Sequence, residues 1–258
     1  ALQLFERTAT EDVEVAGVVL NRVATTRHER MLTEALAPVG IPVLGALPRR
    51  EGLILPERHL GLVLPGEIAA FEGIVEAAAG LMEEYVDLNQ LVALSQPVFA
   101  ADSMISYRRL RPLGQRIAVA RDEAFAFVYQ HVMEDWQAQG AEIRLFSPLR
   151  DEPPGLDSDA IYLPGGYPEL HGQKLANAEQ FRAGLTAARN RNALIYGECG
   201  GYMVLGEELT DRAGIPYKMA GLLPIETDIS RPKRLLGYRR LTNLGGLPWP
   251  RDLLGHEF

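Results

Sequence analysis

The sequence holds a single cysteine, Cys199, among 258 residues. An internal disulfide is excluded, and so is a metal site built from clustered cysteines. A reducing, cytoplasmic setting is the expectation. No apolar run approaches the ~20 residues that span a bilayer, and no signal-peptide pattern opens the chain. Positive charge is in deficit, with 26 Lys and Arg against 34 Asp and Glu and a net charge of −8. That disfavours a nucleic-acid partner. No GxxxxGK(S/T) phosphate loop occurs, nor any internal repeat or low-complexity tract. What remains is globular: 47% apolar and 23% charged residues are close to the averages of folded domains and exclude disorder. The length predicts one large or two modest domains.

Residues 14–23, EVAGVVLNRV, are a β-branched apolar run ending in a polar pair, which reads as a buried parallel strand. Residues 26–37 have helical spacing at Met31, Leu32, Ala35 and Leu36, with Pro38 and Gly40 as the stop. Ile41 to Leu47 is a second strand, and 67–86 resume a helical pattern. This alternation predicts a parallel α/β sheet. Residues 95–115 lack periodicity and carry two prolines and several arginines, the pattern of a linker. A second α/β unit follows. Its expected strands are 117–120, 141–148, 159–163 and 193–196, and its expected helices are Glu123 to Gln139, 174–190 and 202–209. Residues 213–254 read as loops and short strands. The expected domains are thus 1–94, a linker at 95–115, and 116–258. The chain opens at Ala1 without Met and stops at Phe258 inside sequence that reads as structured, so a fragment is expected.

Cys199 stands out by its setting. It follows the strand Ala193-Leu194-Ile195-Tyr196, is flanked by Gly197 and Gly201, and precedes a helical pattern. A lone thiol in a neutral context reads as a buried structural cysteine. A strand–turn–helix context instead reads as a nucleophile elbow, whose glycines let strand and helix pack closely. The sulfur then sits at a helix N-terminus, which favours the thiolate. The N–H of Gly200 is placed to donate to an oxyanion. The second donor is expected from Gly165-Gly166, at the end of the neighbouring strand.

Six segments then occur in one order: ARDEAF (120–125), FSP (146–148), GGYPEL (165–170), ECGGYM (198–203), LGYR (236–239) and GHEF (255–258). Together they resemble the cobyrinic or hydrogenobyrinic acid a,c-diamide synthase family. The resemblance implies two parallel-sheet units: the C-terminal part of a P-loop, dethiobiotin-synthetase-like ATP domain, then a flavodoxin-like class I glutamine amidotransferase domain. It implies that glutamine is hydrolysed at Cys199, with Gly165, Gly166 and Gly200 as the oxyanion hole. The ammonia would amidate the a and c carboxylates of a corrin-ring polycarboxylate, activated with ATP and Mg²⁺ as acyl phosphates.

Departures from the family pattern are both truncations. The P-loop and Mg²⁺-binding acids would precede Ala1, and the catalytic histidine would follow Phe258. His256 belongs to the GHEF segment and is not that base. His28 and His59 fall in the other domain, His131 reads as a packing or surface residue, and His171 as a residue beside the GGYPEL loop. Asn21 matches a position that would contact adenine, with Pro48 lining the same base pocket. No metal ligand is expected within the chain. Tyr167 and Glu169 read either as glutamine contacts or as local structure, and the arginines at 108, 109, 111 and 116 as a solvated linker. A homodimer is the expected assembly, without nucleic acid or membrane. Two alternatives keep the fold: a non-catalytic corrinoid- or partner-binding chain, and a cysteine hydrolase. Within the synthase reading, cobyrinate and nickel-sirohydrochlorin compete with hydrogenobyrinate.

Overall fold

The computed structural model describes residues 15–55, 63–95, 109–231 and 237–257. The expectations for residue 14, for most of the linker, for His59 and Arg108, and for Leu236 and Phe258 lie outside them. The chain divides into two compact units, Ala1–Ile105 and Ser106–Phe258.

In the first unit, β1 (Val18–Val23) pairs in parallel with β2 (Val43–Pro48). The intervening helix α1 (Thr26–Leu36) starts at Thr25, whose hydroxyl accepts the His28 N–H at 3.1 Å, so one of the helix's unpaired donors is satisfied. It ends in a 3-10 turn at Ala37–Val39 and at Gly40, with φ +76°. Helix α2 (Phe71–Tyr85) follows, starting four residues later than its pattern predicts, because Ala70 adopts φ +57°. Its C-terminus abuts β2 at Gly45, where a Cβ would collide with the Tyr85 carbonyl. A short helix, α3 (Leu88–Leu94), capped by Asp87, is an addition to the expected elements. Leu20, Val23, Ile41, Leu44 and Val86 form the buried apolar residues of this unit.

The second unit is built on four parallel strands: β3 (Arg116–Ala120), β4 (Glu142–Phe146), β5 (Ala160–Leu163) and β6 (Leu194–Gly197). Their order in the sheet is β4-β3-β5-β6. This is the flavodoxin-like order, with a switch between β3 and β5, where open α/β sheets place their ligands. Alternation splits the strands between two cores. Ile117, Val119, Ala160 and Tyr162 face α4 (Gln130–Ala138) through Met133 and Trp136. Ala118, Ala120, Ile161 and Leu163 face the opposite way, toward α5 (Gly172–Asn177) and α6 (Glu179–Asn190), through Leu175, Phe181, Leu185 and Ala188. The single helix expected at 174–190 is therefore two, broken at Ala178.

Helix α4 is shorter than its pattern predicts. Residues 123–129 are loop, because Asp122 Oδ1 accepts the Ala124 N–H at 2.9 Å and its Oδ2 binds the Ser147 hydroxyl and Leu149 N–H, each at 2.9 Å. That side chain competes with helix formation. After α7 (Gly200–Leu205), residues expected to stay helical turn into β7 (Glu208–Thr210). β7 joins β8 (Pro216–Lys218) and β9 (Glu226–Asp228) in a small sheet, and β10 (Gly237–Thr242) pairs antiparallel with β11 (Asp252–Glu257).

Candidate active site

The site forms at the C-terminal ends of β5 and β6. β6 delivers Glu198, whose N–H donates to the Leu163 carbonyl at 3.1 Å. The chain then reverses at Cys199, with φ +49° and ψ −119°. A non-glycine residue there stores about 1–3 kcal/mol of strain, held by its surroundings. The Gly201 N–H closes the turn on the Glu198 carbonyl at 2.8 Å. Glycine is required on both sides. A Cβ on Gly201 would overlap the Leu163 carbonyl, and one on Gly197 would stand 2.8 Å from the Gly201 oxygen and the Leu205 methyl.

The Pro164-Gly165-Gly166 loop leaves β5 beside this turn. A Cβ on Gly165 would lie 3.2 Å from Cys199 Cβ and 3.5 Å from its Sγ. On its other side the loop meets residues 124–127: the Phe127 N–H donates to the Gly165 carbonyl at 3.0 Å, and a Cβ on Gly166 would overlap the Ala124 carbonyl. Tyr167 is buried edge-on against Phe127, with ring centroids 5.3 Å apart. The loop expected to be helix is therefore a wall of the site.

Cys199 is open to solvent, yet enough protein surrounds its sulfur to govern its titration. Burial pushes the thiol up. The backbone N–H groups of Gly200 and Gly166 beside it pull it down, and the Glu198 and Glu169 carboxylates push it up again. The net direction is up, against the expectation of a thiolate-favouring helix terminus. The two lowering donors are among the backbone groups proposed from sequence, so Gly165, Gly166, Gly200 and Cys199 are brought together.

Other expected residues sit elsewhere. Asn21 is exposed in β1, and Pro48 ends β2 opposite Val23. Both lie at the C-terminal edge of a parallel pair, where a base could rest, but the described residues of this unit supply no phosphate cradle. Among the described residues, no group of three or more His, Cys, Asp or Glu side chains could hold a metal ion, and no helix is long and apolar enough to cross a membrane. His28 accepts the Ala24 N–H through Nδ1 at 3.3 Å. His131 is exposed on α4, 6.0 Å from the Tyr129 ring, and His171 is half-buried.

Sequence reasoning missed a tyrosine pair. Tyr162 and Tyr196 donate their hydroxyls to Glu198 at 2.7 and 3.2 Å. Burial, then the charges of Glu198 and Cys199, push the Tyr129 hydroxyl up. The outward signal was two tyrosines at matching ends of adjacent strands, which pair in register in the sheet.

Residues 116–258 match the model of the CobB/CobQ-like glutamine amidotransferase domain, and residues 2–63 that of the CobQ/CobB/MinD/ParA nucleotide binding domain. Hydrogenobyrinate a,c-diamide synthase of Brucella abortus is 56% identical over 248 residues, covering 96% of this chain and 57% of that protein. The protein of the same name from Rhizobium meliloti is 49% identical over the same shares. The chain thus spans 57% of the length of these curated relatives. A putative peptidase E from Listeria monocytogenes aligns over 43% of this chain and 64% of its own, at 14% identity and a TM-score of 0.33, a level that says nothing about function.

Proposed function

The chain belongs to the family of CobB/CobQ-like glutamine amidotransferases, and from that premise we propose that it contributes the glutaminase site of an ATP-dependent carbon–nitrogen ligase. The reaction is amidation of the a and c carboxylates of hydrogenobyrinic acid in cobalamin biosynthesis, in the cytoplasm. The observation that carries this reading is the strained turn at Cys199, with the Gly165-Gly166 loop packed against its side chain. The relatives' names favour hydrogenobyrinate over cobyrinate and nickel-sirohydrochlorin.

In this reading Cys199 gives up its proton and its sulfur attacks the glutamine carboxamide carbon. The carbonyl oxygen takes the negative charge and is met by the N–H groups of Gly200 and of the Gly165-Gly166 loop. The C–N bond breaks and nitrogen leaves as ammonia, taking a proton. The remaining thioester is hydrolysed by water, which releases glutamate and restores the thiol. A histidine carries the protons, at the place the family resemblance puts it, after Phe258. ATP with Mg²⁺ would supply the activation of the corrin carboxylate. Asn21 and Pro48 are proposed to meet the adenine, while its phosphates and metal would be held by residues outside those described.

The protein at its natural length, given glutamine, Mg-ATP and hydrogenobyrinic acid, should release glutamate and add two amides per ring by mass. Intact Cys199 with neither glutamate nor amide formed would overturn the reading.

A further inference from the structure

Glu198 is held from four directions. Its N–H donates to Leu163 on β5, its carbonyl accepts from Gly201 on α7, and its two carboxylate oxygens accept from Tyr162 and Tyr196. The tyrosines are rigid in turn. Their rings stack at 5.6 Å and 26°. Tyr162 lies edge-on to Trp136 at 6.0 Å and Tyr196 edge-on to Trp249 at 5.0 Å. Trp249 is fixed by its indole N–H, which donates to the Arg111 carbonyl at 2.9 Å. A row of four aromatic rings thus presents two hydroxyls to one carboxylate.

That carboxylate is unfavourable for a nucleophile. The Glu198 and Glu169 carboxylates both oppose the ionisation of Cys199. Its position makes sense as geometry. A strained residue persists only where neighbours over-determine it, and Glu198 is the residue on which the Cys199 turn begins.

We infer that Glu198, clamped by Tyr162 and Tyr196, is a positioning residue that holds the Cys199 turn so that Sγ and the Gly200 N–H address one substrate carbonyl. The inference rests on the reading of Cys199 as the glutamine nucleophile. The clamp acts through the turn and touches no reacting atom.

The test compares wild type, Glu198→Gln and the double variant Tyr162→Phe/Tyr196→Phe in the protein at its natural length. Glutaminase kinetics and the pH profile of Cys199 alkylation by iodoacetamide are both recorded. In Glu198→Gln, kcat should fall about tenfold to a hundredfold with KM little changed, the scale of a small misplacement of reacting groups. The alkylation midpoint should meanwhile move to lower pH, because a negative neighbour is gone. More thiolate with less turnover is a combination that mere loss of stability does not produce. The tyrosine double variant should also lose kcat, but without a downward midpoint shift, since the carboxylate stays. If Glu198→Gln folds, by circular dichroism, and turns over glutamine at the wild-type kcat, the inference is overturned. If it does not fold, an unchanged kcat in the double variant overturns it equally. If wild type is alkylated at Cys199 but releases no glutamate, the glutamine reading itself fails and takes the inference with it.

Discussion

A thiol that attacks an amide gains from being a thiolate, yet burial and two carboxylates hold Cys199 the other way. The sign of the consequence is fixed. Alkylation follows the thiolate fraction, so its rate should climb with pH through a midpoint above the ~8.5 of a free cysteine. A midpoint at or below that value in a pH–rate series would contradict the net upward push of burial, Glu198 and Glu169. The proposed reaction accordingly gives the removal of that proton to a partner base. Under the proposed function, replacing Cys199 separates glutamine hydrolysis from amidation. Cys199→Ser should cut glutamine-driven amidation by about a thousandfold or more and leave amidation from added ammonium salt near wild type, measured as amide per ring by mass. Equal loss with both nitrogen sources would place Cys199 in the fold's stability instead.

At the scale of elements, the turn and the sheet were legible because they rest on chain-local rules. Val, Ile and Leu runs bounded by Gly and Pro gave the strands, and glycines either side of Cys199 gave the elbow. The loop at 123–129 was not legible from periodicity. Its apolar residues have helical spacing, but Ala124 and Phe125 are buried in the core and Asp122 ties the backbone into a turn. The aspartate just before the segment was the available signal, since Asp side chains commonly bind the N–H two residues on. The elbow's glycines make a sharp prediction. Adding bulk to a packed interior costs about 1–3 kcal/mol where side chains can yield. At Gly201 the obstacle is the Leu163 backbone, so Gly201→Ala should reach or pass the top of that range in urea denaturation. The sheet's other end gives a pH-dependent case. Asp159 accepts the Arg116 N–H at 2.9 Å and its guanidinium at 3.3 Å, and these hold its carboxyl below the usual range. A lowered pKa stabilises above the unfolded value, near 4, and the benefit vanishes as pH falls through the folded value. The gap in denaturation midpoint between wild type and Asp159→Asn should therefore be widest at neutral pH and close in acid.

At the scale of the whole molecule, length allowed one large or two modest domains and the repeated strand–helix alternation pointed to two α/β units; the chain divides into two compact units. The partition of the second sheet into two faces could be read only once register was known. Ala118 and Val119 look alike in sequence, yet they belong to different cores. Each unit has its own buried apolar residues, so each should lose structure in its own cooperative step. Leu185 tests this. It is fully buried among Phe181, Ala188 and the strand side chains of the second unit. Truncation to Ala removes that packing and leaves a cavity, at a cost of about 2–5 kcal/mol. Calorimetry of Leu185→Ala should show one transition moved to lower temperature and the other unmoved. A single transition that shifts as a whole would mean that the two units unfold as one.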